Sequence, residues 1–217
     1  MSSGRLVTFE GGEAAGKSTQ IRLLSERLQA LGHRVLIVRE PGGTPVGERI
    51  RELLKHAPES KGIEPSTELF LLSASRAELV AKVIRPALIG GAIVLMDRFF
   101  DSTLAYQGGG RGISRVSLDL IIGLSVGTTR PDLTFLLRVS AEATRERLGR
   151  RNLSSPPVTD HFEAESKSFF DRVYAAYDRL AIEEADRVVE VNGDKSIEEV
   201  AASIWTIAQS RLGLSAP

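Results

Sequence analysis

Eight consecutive residues constrain this chain more than any other stretch in it: Gly11-Gly-Glu-Ala-Ala-Gly16-Lys17-Ser18. They follow a short apolar run, Leu6 to Glu10, and precede a segment in which Ile21, Leu24, Leu28 and Leu31 recur at helical spacing, with Gly32 where a C-terminal cap belongs. A G-x-x-x-x-G-K-S sequence between a strand and a helix is a phosphate-binding loop. Backbone N–H groups must curl around phosphate oxygens there, and a Cβ at Gly11 or Gly16 would obstruct the curl or demand an unfavourable φ. The helix that opens at Lys17 adds its own unpaired N–H groups and the positive end of its dipole. Gly11, Gly12, Glu13, Ala14, Ala15, Gly16, Lys17, Ser18 and Thr19 are therefore expected to hold a nucleoside triphosphate. Lys17 would bridge the β and γ phosphates, and the Ser18 hydroxyl would bind Mg²⁺. An ordinary glycine-rich turn with a solvated lysine would not need all eight positions in this context.

The rest of the chain fits an α/β protein. Five apolar runs, Leu6 to Glu10, Val35 to Arg39, Ile93 to Asp97, Leu133 to Val139 and Val188 to Val191, alternate with helical spacing. That alternation predicts a three-layer P-loop NTPase fold: a five-stranded parallel sheet with helices on both faces. A long helix is expected from near Thr67 toward Gly90, with Pro86 kinking or shortening it. Others are expected over Val116 to Leu124, Ala141 to Leu148, Glu163 to Glu184 and Ile197 to Arg211. Gln107 to Gly112 (QGGGRG) and Gly149 to Thr159 (GRRNLSSPPVT) read as irregular, the second as a lid over about 149–161. At 217 residues, 42% apolar and 26% charged, the chain reads as a single domain, 1–217, and disordered, collagen-like and coiled-coil classes are excluded. Lys plus Arg and Asp plus Glu both number 28, so no global field draws it to nucleic acid or anionic lipid. No cysteine is present, which removes disulfides, thiolate metal sites and cysteine nucleophiles. No long apolar span appears, and a soluble cytoplasmic protein is expected.

Ligands of such sheets gather outside the carboxyl ends of the strands. There the sequence offers Glu13 after the first strand, Arg39, Glu40 and Pro41 after the second, and Asp97 and Arg98 after the third. Asp97 is the candidate second ligand of Mg²⁺. Arg39, Arg76 and Arg98 suit bidentate recognition of a second, acceptor phosphate.

At this point the chain resembles the bacterial thymidylate kinases. The resembling segments are FEGGEAAGKSTQ (Phe9 to Gln20), REPGGTPVGERIR (Arg39 to Arg51), ELFLLSASRAEL (Glu68 to Leu79), DRFFDSTLAYQGGGRG (Asp97 to Gly112) and RPDLTFLL (Arg130 to Leu137). The resemblance implies transfer of the γ-phosphoryl of ATP to dTMP, giving dTDP and ADP, with Mg²⁺ as cofactor and a homodimeric assembly. It implies that Asp97 helps hold Mg²⁺, that Arg98 grips the dTMP phosphate with Arg76 nearby, and that Glu13 faces the sugar 3′-hydroxyl. Thr103 and Gln107 would lie by the thymine edge, with Tyr106 beneath the deoxyribose, while Arg39, Pro41 and Leu72 complete the substrate set. The position matched by Ala14 carries an arginine in the eukaryote-like type; in the bacterial type the lid supplies that charge, here Arg150 or Arg151. Three residues depart from the pattern: Leu72 stands where the family usually has Phe, His161 where Arg is common, and Arg138 where Asp is common. Two other readings remain open: a kinase for another deoxynucleotide or deoxynucleoside, and a P-loop switch. The switch would need an N-K-x-D motif, and Val191-Asn-Gly-Asp-Lys195 has the wrong order.

Overall fold

In the computed structural model, residues 4–154 and 165–213 are described, residues 151–154 by their backbone alone. Five parallel strands form one sheet in the order β2-β3-β1-β4-β5: β1 (Arg5–Gly11), β2 (Val35–Arg39), β3 (Ile93–Asp97), β4 (Leu133–Arg138) and β5 (Val188–Asn192). Each strand lies where its apolar run predicts. Side chains alternate across the sheet, and both faces are covered. Val7, Phe9, Leu95, Phe135 and Leu137 face helices α1 (Lys17–Ala30) and α9 (Ile197–Leu212), meeting Leu24, Leu28, Ile204 and Trp205. Leu6, Val94 and Met96 face α3 (Pro65–Leu79) and α6 (Arg115–Val126), while Leu136 meets Phe169, Val173 and Tyr177 of α8 (Lys167–Glu183). This is the expected three-layer fold.

Register positions the site. Phe9 pairs with Asp97 and Arg39 pairs with Asp97 on the other side, so the loop after β1 and the ends of β2 and β3 emerge at one rim. The chain leaves β1 for β2 and returns to insert β3 between them, opening the crevice in which α/β sheets bind ligands.

Several helices differ from expectation. The stretch after β2 contains α2 (Pro45–Lys55), which is not among the expected helices although Val46, Ile50, Leu53 and Leu54 recur at helical spacing; Thr44 caps it by accepting from Gly47 N, and Pro45 opens it. The long helix is α3, then a π-helical stretch over Val80–Ile84, then α4 (Arg85–Ile89), without a break, so that Pro86 follows directly on the π-helical turn and does not end the helix. Of the segment Gln107 to Gly112 expected to be irregular, the first four residues belong to a π-helical stretch, Leu104–Gly110, that continues α5 (Phe100–Thr103), with Arg111 N donating to Tyr106 O at 2.9 Å; only Arg111 and Gly112 lie outside it. α7 (Ala141–Ser154) runs past Gly149, so Arg150 and Arg151 lie on a helix rather than in a loop; Glu146 and Arg150 pair one turn apart. The remainder of the expected lid, with His161, lies outside the described residues. α8 begins only at Lys167, because Ser166 accepts from Phe169 N and caps it.

A buried polar network ties the sheet to the rim. Glu10, fully buried at the end of β1, accepts from Phe99 N at 2.7 Å, Ser102 Oγ at 2.6 Å and the Tyr177 hydroxyl at 3.0 Å. Burial, reinforced by neighbouring Asp101, pushes its carboxyl up to about 7, against the opposing pull of Arg98.

Two outcomes follow from this packing. A Cβ on Gly110 would lie 2.6 Å from Phe169 Cζ, so Gly110→Ala should push the π-helical segment off α8 and cost about 1–3 kcal/mol in urea unfolding. With its folded carboxyl raised from 4.5 to about 7, Glu10 keeps a proton on folding that the unfolded chain has lost. Its contribution to stability is greatest at low pH and declines as pH rises from about 4.5 to 7. Urea titrations at pH 5, 6 and 7 should show the stability of the native protein relative to Glu10→Gln falling with pH by a few kcal/mol at most, and a pH-independent difference would contradict it.

Candidate active site

The phosphate-binding loop has the backbone its sequence demands. Gly11 sits at φ +131°, where a Cβ would meet Leu137 O at 2.5 Å, and Gly16 caps α1 at φ +89° with open space around it. Gly11 thus answers to both contact and conformation, Gly16 to conformation alone. Gly12 is hemmed in by the Tyr174 hydroxyl, and Ala14 is itself left-handed at φ +53°. Lys17 is buried and folds back on the loop, donating from Nζ to Gly12 O at 2.8 Å and Gly11 O at 3.3 Å. Burial, followed by the charge of Arg98, lowers its ammonium to about 8 despite nearby Asp97 and Glu13. Ser18 Oγ donates to Asp97 Oδ2 at 2.7 Å, so the two expected metal ligands, from α1 and β3, stand side by side.

A cavity of about 790 Å³ opens in front of them. Glu13, Ala14, Ala15, Gly16, Lys17, Ser18 and Thr19 line one end, while Gly11 and Gly12 lie behind the rim and hold the lysine. Arg39, Pro41, Leu72, Arg76, Thr103, Tyr106 and Gln107 line the other end, with Asp97 and Arg98 between. Arg98 occupies the left-handed region at φ +65°, a conformation secured on both sides by its own N–H to Phe9 O and by Phe99 N to Glu10. Its guanidinium donates to Glu13 Oε1 at 2.8 Å, Ser102 Oγ at 3.1 Å and the Tyr106 hydroxyl at 3.3 Å. Burial pushes that hydroxyl up to about 12.

Arg76 is 2% exposed. It donates from Nε to Glu40 Oε2 at 2.9 Å and from Nη2 to Thr103 Oγ1 at 2.8 Å, and its Nη1 has no protein partner among the described residues. Arg39 lines the same cavity as the other two arginines, with its guanidinium held by Glu48 of α2 at 2.9 Å. Burial raises the Glu40 carboxyl, opposed by the charge of Arg76.

The lid-side arginines separate. Arg150 lines the cavity while pairing with Glu146, and the side chain of Arg151 lies outside the described residues. Sequence reasoning missed Arg147, which lines the cavity and donates to Gly193 O at 2.7 Å and to Ala14 O at 3.4 Å. Arg147 and Arg150 share a helix face only if α7 continues past Gly149, which the irregular reading of that segment concealed. Arg51 and Lys55 of α2 also line the cavity, together with Gly193, Lys195 and Ser196 at the loop end. Arg138 acquires a reason: it pairs with Asp178 and Glu190 at 2.5 Å each, tying the ends of β4 and β5 to α8. Among the described residues no helix is long and apolar enough to cross a membrane.

The family model described as "Thymidylate kinase" matches residues 9–204. A thymidylate kinase of Pelobacter propionicus is 45% identical over 211 residues, covering 96% of each chain, and one of Pseudomonas fluorescens is 43% identical over 213 residues, covering 98% of this chain and 99% of its own. Among solved structures, the crystal structure of thymidylate kinase from Ehrlichia chaffeensis superposes with a TM-score of 0.76 at 30% identity, covering 96% of this chain and 99% of that one. A parallel sheet whose β1–α1 loop carries the phosphate-binding sequence, opposite a wall of buried arginine, threonine and glutamine, agrees with all of these matches, and the chain belongs to the thymidylate kinase family.

Proposed function

We propose that this chain transfers the γ-phosphoryl group of ATP to dTMP, giving dTDP and ADP for dTTP synthesis. The observation that carries this reading is one continuous cavity joining the phosphate-binding loop to the wall formed by Arg76, Thr103, Tyr106 and Gln107, with Arg98 at the junction. Two anionic ligands fit such a cavity head to head. The donor triphosphate lies on the loop amides with Lys17, which exchanges the carbonyls of Gly11 and Gly12 for β and γ oxygens. The acceptor phosphate meets Arg98, whose guanidinium already stands in the junction against Glu13. Glu13 then accepts from the sugar 3′-hydroxyl, and the Tyr106 ring beneath the deoxyribose leaves little room for a 2′-hydroxyl.

Ser18 and Asp97 would hold Mg²⁺. Two hard oxygen ligands side by side at the loop suit an ion that keeps several waters and takes phosphate oxygens as its remaining partners. When bound, the ion neutralises charge along the β and γ oxygens. The acceptor is already an ionised phosphate, so this chain has to position rather than deprotonate it. Arg150 or Arg151, on the lid over about 149–161 of a single domain, would bring positive charge to the transferring group and help exclude water. A chain without cysteine suits a reducing compartment, in keeping with a cytoplasmic location.

We further propose a homodimer. Val116, Leu120 and Leu124 stand exposed at four-residue intervals on α6, and Phe70 is exposed on α3, which packs against α6. A continuous apolar stripe of this kind is buried by pairing with a second copy.

In a coupled assay with MgATP, dTMP should support ADP production while TMP of ribose, dCMP and dGMP support less than about a tenth of its kcat/KM; comparable turnover of all four rejects the reading. Lys17→Ala should keep the native circular-dichroism spectrum and lose at least about 10²-fold in kcat. Light scattering should give twice the chain mass for the native protein and a single chain mass for Leu124→Glu.

A further inference from the structure

We infer that Glu68 is a specificity-determining positioning residue: it holds the amide of Gln107 with its carbonyl oxygen toward the cavity, so that the acceptor end takes a pyrimidine imide edge and rejects an aminopyrimidine edge. This rests on the reading of the cavity's far end as the base subsite.

Glu68 lies in the first turn of α3 and Gln107 in the π-helical segment after α5, and both are buried, at 2% and 1% exposure. Gln107 Nε2 donates to Glu68 Oε1 at 2.7 Å. Arg111 closes on the same carboxylate, donating from Nε to Oε1 at 3.2 Å and from Nη2 to Oε2 at 2.8 Å, while its Nη1 reaches Glu165. A carboxylate clamped by a guanidinium only accepts hydrogen bonds, so the NH₂ end of the neighbouring amide must face it. The amide orientation follows from this chemistry. Gln107 Oε1 receives no donor from the described residues, and Gln107 lines the cavity.

The neighbouring wall offers the opposite polarity. Arg76 lines the same cavity with Nη1 unpartnered among the described residues, and its Nη2 is bound to Thr103, four residues before Gln107. One donor from Arg76 and one acceptor from Gln107 complement a ring carbonyl beside an N–H, the edge that thymine and uracil share. Cytosine presents an amino group and a bare ring nitrogen there, so both facings would be donor against donor and acceptor against acceptor. Were the amide reversed, Gln107 would present a donor, and an aminopyrimidine's ring nitrogen could pair with it. Nothing in Gln107 itself prevents that reversal; the fixed acceptor at Glu68 does. Glu68 therefore acts through Gln107 and touches no substrate.

The test measures kcat/KM for dTMP and dCMP, and their dissociation constants by titration calorimetry, in the native protein, Glu68→Gln, Gln107→Leu and the double variant. A side-chain amide at residue 68 offers either a donor or an acceptor, so the Gln107 amide can turn. The dTMP-to-dCMP ratio should fall by about 10-fold or more, through a higher KM for dTMP and a lower one for dCMP, with kcat for dTMP within about twofold. In the Gln107→Leu background the same substitution should leave the ratio unchanged, because its route to the base is gone. If Glu68→Gln does not fold, Glu68→Asp, which keeps the charge on Arg111 and shortens the arm to Gln107, should lower the ratio likewise. An unchanged ratio in a folded Glu68 variant, or an equal change in both backgrounds, overturns the inference. Failure of the native protein to use dTMP would instead overturn the reading of the reaction.

Discussion

The parallel register between β1 and β3 is the constraint on which the rest depends. With Phe9 opposite Asp97, the loop that leaves β1 and the residues that end β3 must meet at one level, and Ser18 falls within hydrogen-bonding distance of Asp97. The same alignment lets Arg98 N bond to Phe9 O, fixing the left-handed turn from which its guanidinium reaches Glu13. A slip of one residue would turn every side chain of β3 to the other face, and the apolar layers on both sides forbid it. Core packing thus sets site geometry, and the register needs no help from the ligands.

Behind the rim lie several buried charges. Arg76 with Glu40, Glu68 with Arg111, and Asp101 with Arg187 each remove ions from water, and Glu10 is buried beside them. Such pairs seldom raise stability over apolar replacements of similar volume, because desolvation offsets most of the attraction. Their use here is directional. The first two clamp one side of a polar group and leave its other side unpaired among the described residues: Glu40 holds Arg76, whose Nη1 has no partner, and Glu68 holds the Gln107 amide by its nitrogen, leaving its oxygen without a donor.

The parts of this architecture written in local pattern were legible from sequence. The phosphate-binding loop, the five strands and most helices depend on residues within a few positions of one another, so spacing alone reveals them. Where the chain departs from simple periodicity it is harder to read. α2 is overlooked despite a Thr-Pro capping signal and the helical spacing of Val46, Ile50, Leu53 and Leu54, because the prolines and glycines at 41–47 read as a turn; the triple glycine at 108–110 resembles a loop until α8 is known to lie against it, where Cβ atoms at 109 and 110 would strike Arg172, Ala176 and Phe169. Pairings are the least legible. That Arg39 would turn to Glu48, Arg138 to Asp178, or Gln107 to Glu68 depends on how separate strands and helices come together, and no motif records it.

Lys17 resting on the carbonyls of its own loop carries a consequence for energetics. On the proposed reading, a triphosphate on the loop does not give the ammonium hydrogen bonds it lacked; Lys17 releases two that it already holds and remakes them on phosphate oxygens. The lysine is an occupied latch, and its exchange leaves the bond tally nearly level. The driving force at that atom then comes from charge meeting charge, so the heat released at this contact should understate how much the residue matters.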